Sequence, residues 1–233
     1  MSDAPLEPAP DPAERSSIIR DSLGVGFATG AYGVGFGAVS VAAGLSVAQT
    51  CALSLLAFTG ASQFALVGVV AAGGAPLSGA LTALLLGTRN TLYGLRMAPL
   101  LAWTGWRRAF GAQVLIDEST AMAVTRESTP AARLAFTWTG ASVFVLWNLA
   151  TAAGAVAGNT LGDPRTYGLD AAVGAAFLAL LWPRLHSRLH QLVAVAAAAV
   201  ALGVVPLVPA GVPVLAAAGV ALVAGALPRG ERR

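Results

Sequence analysis

Charged residues are scarce in this chain of 233 residues, and lysine is absent, so that all 14 basic residues are arginines. Acidic and basic residues together make up 11% of the sequence, whereas soluble domains carry about 25%. The runs 22–88, 134–162 and 189–228 contain no Asp, Glu, Lys or Arg. Because a membrane-spanning helix needs roughly 20 apolar residues, these runs exclude an ordinary soluble domain and predict several membrane spans.

Other absences narrow the functional classes. Cys51 is the only cysteine, which excludes an internal disulfide and a cysteine metal cluster. No phosphate-binding loop is present, so the chain itself is not expected to hydrolyse ATP. His186 and His190 are four residues apart without an evident third ligand, which favours interfacial histidines over a metal site. Without a histidine cluster, a Ser/Lys pair or a basic aromatic stripe, we expect no catalytic residue, no metal, no cofactor and no nucleic-acid partner.

The apolar segments predict an all-α, polytopic membrane bundle of about seven spans, with a range of six to eight. They are approximately 22–46, 48–73, 77–101, 134–157, 167–183, 189–207 and 211–228. The long polar connection, 103–133, separates the third segment from the fourth. With seven spans, the side richer in arginine is cytoplasmic and the N-terminus lies outside. An eighth crossing at 109–128 would place the N-terminus in the cytoplasm.

The two ends of the chain differ from the membrane domain in composition. Residues 1–16 are rich in Pro, Ala and acid, which predicts a disordered tail. This tail lacks the basic start and apolar core of a signal peptide. The prediction is therefore a tail at 1–16, a membrane domain at 17–228 and a short C-terminal tail at 229–233.

Small residues follow one face of the first segment, at spacings of three and four. They are Gly26, Gly30, Gly33, Gly37, Ser40 and Gly44. Such a stripe lets a second helix backbone approach closely in lipid, so the four leading glycines are candidate packing residues. Because Gly24 and Gly35 lie off the stripe, a locally unwound segment that lines a substrate site is the alternative.

Polar side chains interrupt the second and third segments. Gln63 must find a partner, on another helix or on a ligand, because an unpaired buried amide costs several kcal/mol. Arg89 lies near the midpoint of the third segment, where an arginine costs roughly 2.5–3.5 kcal/mol. Tyr93 shares its helical face and Asn90 lies beside it. Arg89 is either one half of a structural ion pair or a residue that binds a substrate carboxylate or serves coupling.

Acidic residues supply the candidate partners of Arg89. Asp117 and Glu118 stand in the polar connection, where they either begin a helix that faces water or enter the membrane so that one acid pairs with Arg89. About 20 Å of helix separates Asp170 from Arg184, against a hydrocarbon core of about 30 Å. A full span would draw Asp170 into the membrane, and a short helix would leave it at the surface.

The ordered combination of these stretches resembles the AzlC family of bacterial branched-chain amino acid permeases, over about residues 17–228. The similarity lies in "TGASQFALVGVVAAGGAPLSGALTALLLGTRNTLYGL", "LIDESTAMA" and "WNLATAAGAVAG" followed by "YGLDAAVGAAFLALL". It implies a multi-pass protein of the bacterial cytoplasmic membrane that exports Leu, Ile, Val and in some members Met. The resemblance also implies a secondary mechanism and a small four-helix AzlD-like partner subunit.

This sequence departs from the family pattern Asn-x-Arg-His-x-x-Tyr-Gly, because Gly87 and Asn90 replace the Asn and the His. If the family histidine serves proton coupling, another residue must do so here. The candidates for substrate binding or coupling are Gln63, Arg89, Asn90, Tyr93, Asp117, Glu118, Asn148 and Asp170. A membrane scaffold subunit that does not itself transport is the alternative function.

Overall fold

The structure is a computed structural model that describes residues 8–160, 178, 181–182, 185–209 and 211–226. The regular elements of these residues are all helices, which confirms the all-α class for this part of the chain. The helices are α1 (Pro12–Ala42), α2 (Val47–Leu56), α3 (Ala61–Ala71), α4 (Pro76–Leu101), α5 (Gly105–Gln113), α6 (Asp117–Val124), α7 (Thr129–Thr160), α8 (Arg188–Val204) and α9 (Val212–Ala226).

Two of the described helices, α1 and α7, are long and apolar enough to cross a membrane. The predicted total of about seven spans stays a prediction. Segments 189–207 and 211–228 correspond to α8 and α9, which pack against each other. Segment 167–183 and its Asp170 lie outside the described residues, apart from 178 and 181–182.

Helix α1 begins earlier than the sequence composition predicts. Asp11 is its N-cap, and its side chain accepts a hydrogen bond of 2.8 Å from the backbone N–H of Glu14. Pro12 occupies the first helical position, where its fixed φ and missing N–H are favourable. Residues 12–16, assigned above to the tail, are therefore helical. Their Pro and acid content, which predicts disorder, is also the signal of a helix start.

Helices α1 and α7 form the most extensive contact in the described fold. A Cβ atom added at Gly37 would collide with the backbone carbonyl of Thr151, and one added at Gly154 would collide with that of Val34. The two backbones therefore touch directly, as small-residue faces allow. Helix α1 is continuous through Gly24, so the unwound alternative does not apply. The glycines of α1 that meet α7 are Gly26, Gly30, Gly33 and Gly37.

The second apolar segment was predicted as one helix, but the structure breaks it between α2 and α3. Gly60 adopts a positive φ of 62° at this break, a conformation that favours glycine. The Gln63 side chain stabilises the break through two backbone hydrogen bonds. Its Oε1 accepts from the Gly60 N–H at 3.1 Å, and its Nε2 donates to the Leu53 carbonyl at 3.2 Å.

A second break lies inside the polar connection, which contains α5 and α6. The Ser119 hydroxyl accepts a hydrogen bond from the Ile116 N–H at 3.1 Å and donates to the Val114 carbonyl at 2.7 Å. The two breaks are close together, because Gln113 at the end of α5 donates from Nε2 to the Leu55 carbonyl of α2 at 2.8 Å. The fold thus brings two interrupted helices to one place.

Candidate functional site

A cavity of about 300 Å³ lies where the two breaks meet α1, α4 and α7. Its apolar wall includes Phe58, Phe64, Leu86, Ile116, Val143 and Trp147. Its polar side chains are Thr29, Tyr32, Thr59, Arg89, Asp117 and Glu118. Ligand sites usually measure about 300–1,000 Å³ and combine apolar walls with a few polar groups. This cavity therefore suits one small molecule that is apolar along one side.

Arg89 bridges both breaks from the middle of α4. One terminal nitrogen, Nη1, lies 2.9 Å from Oδ2 of Asp117. The other, Nη2, donates to the backbone carbonyl of Thr59 at 3.1 Å. The predicted pairing of Arg89 with an acid from the 109–128 segment is thereby confirmed. The forked guanidinium fits this arrangement because its two ends can bind two partners in a fixed geometry.

Asp117 is held from several directions at the start of α6. Besides its ion pair with Arg89, it accepts a hydrogen bond from the Tyr93 hydroxyl. Its place in the first helical turn also suits a negative charge, because the N-terminal end of the helix dipole is positive. The two alternatives for the acid pair are thus combined: the acids begin a helix, and one of them pairs with Arg89.

Glu118 follows Asp117 and lines the same cavity. Thr29 of α1 lines the cavity together with it. The positive charge of Arg89 attracts the Glu118 carboxylate and the negative charge of Asp117 repels it. Among the described residues that line the cavity, one guanidinium therefore faces two carboxylates.

The N-terminal ends of α3 and α6 both reach the cavity, through Gly60 and Ala61 and through Asp117 and Glu118. The first N–H groups of a helix carry partial positive charge and favour anions. In membrane transporters, interrupted helices place such ends at substrate sites. The cavity thus offers a positive end, an excess carboxylate and an apolar wall, which together match a zwitterion with an apolar side chain.

The remaining candidate residues occupy different places. Gln63 is 1% exposed and uses its amide on the backbone of the first break. Asn148 donates to the Phe144 carbonyl at 2.8 Å within α7, whereas Asn90 lines a separate groove between α4 and α5. Tyr93 reaches the site through Asp117. Asp170 lies outside the described residues.

Several lining residues were missed from the sequence. Thr59 contributes a backbone carbonyl, which carries no signal in residue identity. Thr29 and Tyr32 lie three residues apart on α1 and line the cavity. The pattern that stands out in the sequence of α1 is instead the glycine stripe of its packing face. Trp147 stacks at 6.0 Å between ring centroids on Phe36, and its apolar surroundings are those of any packing aromatic.

Comparison with known proteins gives one family and no individual relative. A family model described as AzlC protein matches residues 24–161, which is more than half of the chain and includes both breaks and the cavity charges. No curated protein and no solved structure gives a significant match. The chain therefore belongs to the AzlC family, a family of transport-related membrane proteins.

Proposed function

We propose that this protein exports the branched-chain amino acids Leu, Ile and Val, with Met as a further substrate, by a secondary, ion-coupled mechanism. In this proposal it is a multi-pass protein of about seven spans in the bacterial cytoplasmic membrane and works with a small four-helix AzlD-like subunit. The observation that carries the proposal is the cavity between two interrupted helices, which combines an apolar wall with charges of both signs.

The apolar wall suits an aliphatic side chain. Phe58, Phe64, Val143 and Trp147 line one side of the cavity. Burying a Leu, Ile, Val or Met side chain there contributes about 1.5–3 kcal/mol. An apolar pocket distinguishes one methylene by only about 1–3 kcal/mol. We therefore expect related aliphatic amino acids to share the cavity, with moderate differences in affinity.

The charged part of the cavity suits the two ends of an amino acid. The N-terminus of α3 and the cavity side of Arg89 offer positive charge to the substrate carboxylate. The carboxylates of Asp117 and Glu118 offer negative charge to the ammonium group. Because Arg89 already pairs with Asp117, it can serve both the fold and the substrate.

Leucine counterflow tests this function. The protein is reconstituted in liposomes with and without the AzlD-like subunit, loaded with unlabelled leucine, and exposed to labelled leucine outside. We expect labelled leucine to enter, unlabelled isoleucine, valine and methionine to compete, and lysine and aspartate to compete poorly. If no gradient of leucine, isoleucine, valine or methionine produces flux with the subunit present, the scaffold function replaces the export function.

A further inference from the structure

We propose that Glu118 is the carboxyl group that binds and releases the coupling proton, while Asp117 remains the fixed counter-ion of Arg89. This inference rests on the proposed export function and deepens it, because it names the coupling ion and the residue that carries it. It distinguishes two adjacent acids by their contacts. Substitution of Glu118 tests this distinction.

The contacts of Asp117 suit a permanent negative charge. Its carboxylate lies 2.9 Å from the Arg89 guanidinium and accepts the Tyr93 hydroxyl hydrogen bond. Protonating Asp117 would leave Arg89 without its counter-ion in the middle of an apolar helix, which is a costly arrangement. A proton carried by Asp117 would therefore weaken the bridge between the breaks each time that it was taken up.

The surroundings of Glu118 suit a charge that changes. It lines the cavity together with the neutral side chain of Thr29, and the ion pair of Arg89 in this cavity is made with Asp117. Among the described residues, the ionisable groups that surround it are Asp117 on its own helix, Arg89 and Tyr93 on α4, and Tyr32 on α1. Where α3, α7 and the first break line the cavity, they contribute neutral residues.

Charge balance gives the reason for a proton. Arg89 neutralises one of the two carboxylates, and the second lines a cavity whose wall includes Phe58, Phe64 and Trp147. An uncompensated charge is unfavourable in such an apolar site. A proton on Glu118 removes this charge when the cavity is empty, and the ammonium group of a substrate balances it when the cavity is filled.

Competition between proton and substrate produces exchange. When the carboxylate of Glu118 takes up a proton from the external side, it becomes neutral and the ammonium of a bound amino acid loses its counter-ion. When the proton leaves to the cytoplasm, the carboxylate can receive the next ammonium there. Each cycle thus moves one proton inward and one amino acid outward, with no other bond made or broken.

Glu118→Gln tests this role in proteoliposomes with the membrane potential clamped at zero. With one proton exchanged per leucine, a pH difference of one unit can sustain about a tenfold leucine gradient, because both correspond to the same free energy. We expect the unsubstituted protein to approach this gradient. Glu118→Gln should accumulate no leucine above equilibrium. Its residual counterflow should need more leucine and should not respond to pH, because Gln neither binds a proton nor balances the ammonium group. Glu118→Asp should retain accumulation. Glu127→Gln, at an exposed glutamate after α6, is the matched control and should behave as the unsubstituted protein.

Accumulation by Glu118→Gln to the level of the unsubstituted protein would overturn the inference. Counterflow by Glu118→Gln that needs no more leucine than the unsubstituted protein, or that responds to pH in the same way, would also overturn it, because the proton and the ammonium group would then not compete for Glu118. Leucine flux in the unsubstituted protein without any response to the pH difference would reject proton coupling but leave export intact. Absence of all flux would reject the export function. A second measurement would then show whether Glu118 binds and releases a proton.

Infrared difference spectroscopy of the reconstituted protein provides that measurement without transport. A protonated carboxyl group gives a C=O stretching band that disappears as the pH rises. We expect one such band to be lost in Glu118→Gln and retained in Glu127→Gln. Absence of a titrating band in the unsubstituted protein, or an unchanged band in Glu118→Gln, would overturn the inference.

Discussion

Replacing Arg89 by lysine separates the charge of this residue from its geometry. A lysine ammonium can still pair with Asp117, but it lacks the fork that also reaches the Thr59 carbonyl. The hydrogen bond to Thr59 measures 3.1 Å, and a hydrogen bond to a charged group contributes about 1.5–3 kcal/mol. Because the Arg89 side chain is 26% exposed, we expect a loss near the lower end of that range.

The expected functional loss is larger than the loss of stability. Arg89→Lys should insert and fold, with a modestly lower Tm in detergent, while leucine counterflow should fall severely. The reason is that the first break loses its tie to α6, and the substrate carboxylate loses a two-pronged partner. Counterflow is compared at matched membrane abundance, so that folding and function are read separately.

A double-mutant cycle with Asp117→Asn identifies the origin of the effect. If Arg89 acts through Asp117 alone, the double variant should be no worse than the poorer single variant. We expect Arg89→Lys to add a loss that Asp117→Asn does not contain, because the contact with Thr59 is independent of the acid. Near-normal leucine flux in Arg89→Lys would refute the reasoning and leave Arg89 as a structural counter-ion.

Three further predictions concern packing and the breaks. Gly37→Leu should lower Tm, because the overpacking should cost more than the usual value of about 1–3 kcal/mol. Gly35→Leu, where an added Cβ meets nothing within 4 Å, should leave Tm nearly unchanged. Similar Tm values for the two variants would contradict the backbone contact. Gln63→Leu should destabilise by about 1–3 kcal/mol, because the Gly60 N–H loses its partner and the Leu53 carbonyl keeps only the Ala57 N–H; chemical denaturation measures this, and an unchanged midpoint would argue against the brace. Tyr93→Phe should reduce counterflow mildly, since it removes one hydroxyl, and a complete loss would assign this tyrosine a larger role.

The sequence predicted those elements whose signal is continuous hydrophobicity. The third segment was placed at 77–101, and α4 spans Pro76–Leu101. The partner of Arg89 was also predictable, because an arginine inside an apolar helix requires an acid and few acids were available. In both cases the physical cause is local to the residues themselves.

The breaks were not predictable by the same reasoning. No charged residue or proline marks residues 57–60, and the interruption depends on Gln63 and on the distant Arg89. Helices α5 and α6 lie in the stretch predicted as a polar connection, with a crossing at 109–128 as the alternative. The cavity is assembled from contacts distant in sequence, and composition contains no record of them.

The direct contact between α1 and α7 has a mechanical consequence. Because the backbones touch around Gly37 and Gly154, no side chain at this crossing could change rotamer and let one helix slide past the other. The cavity walls that contain Thr29 and Trp147 should therefore move as one rigid body. Among the described residues, opening or closing of the cavity is then expected at the breaks, where residues 57–60 and 114–116 can change backbone angles without breaking the hydrogen bonds of a continuous helix. The glycine face thus holds α1 and α7 fixed relative to each other.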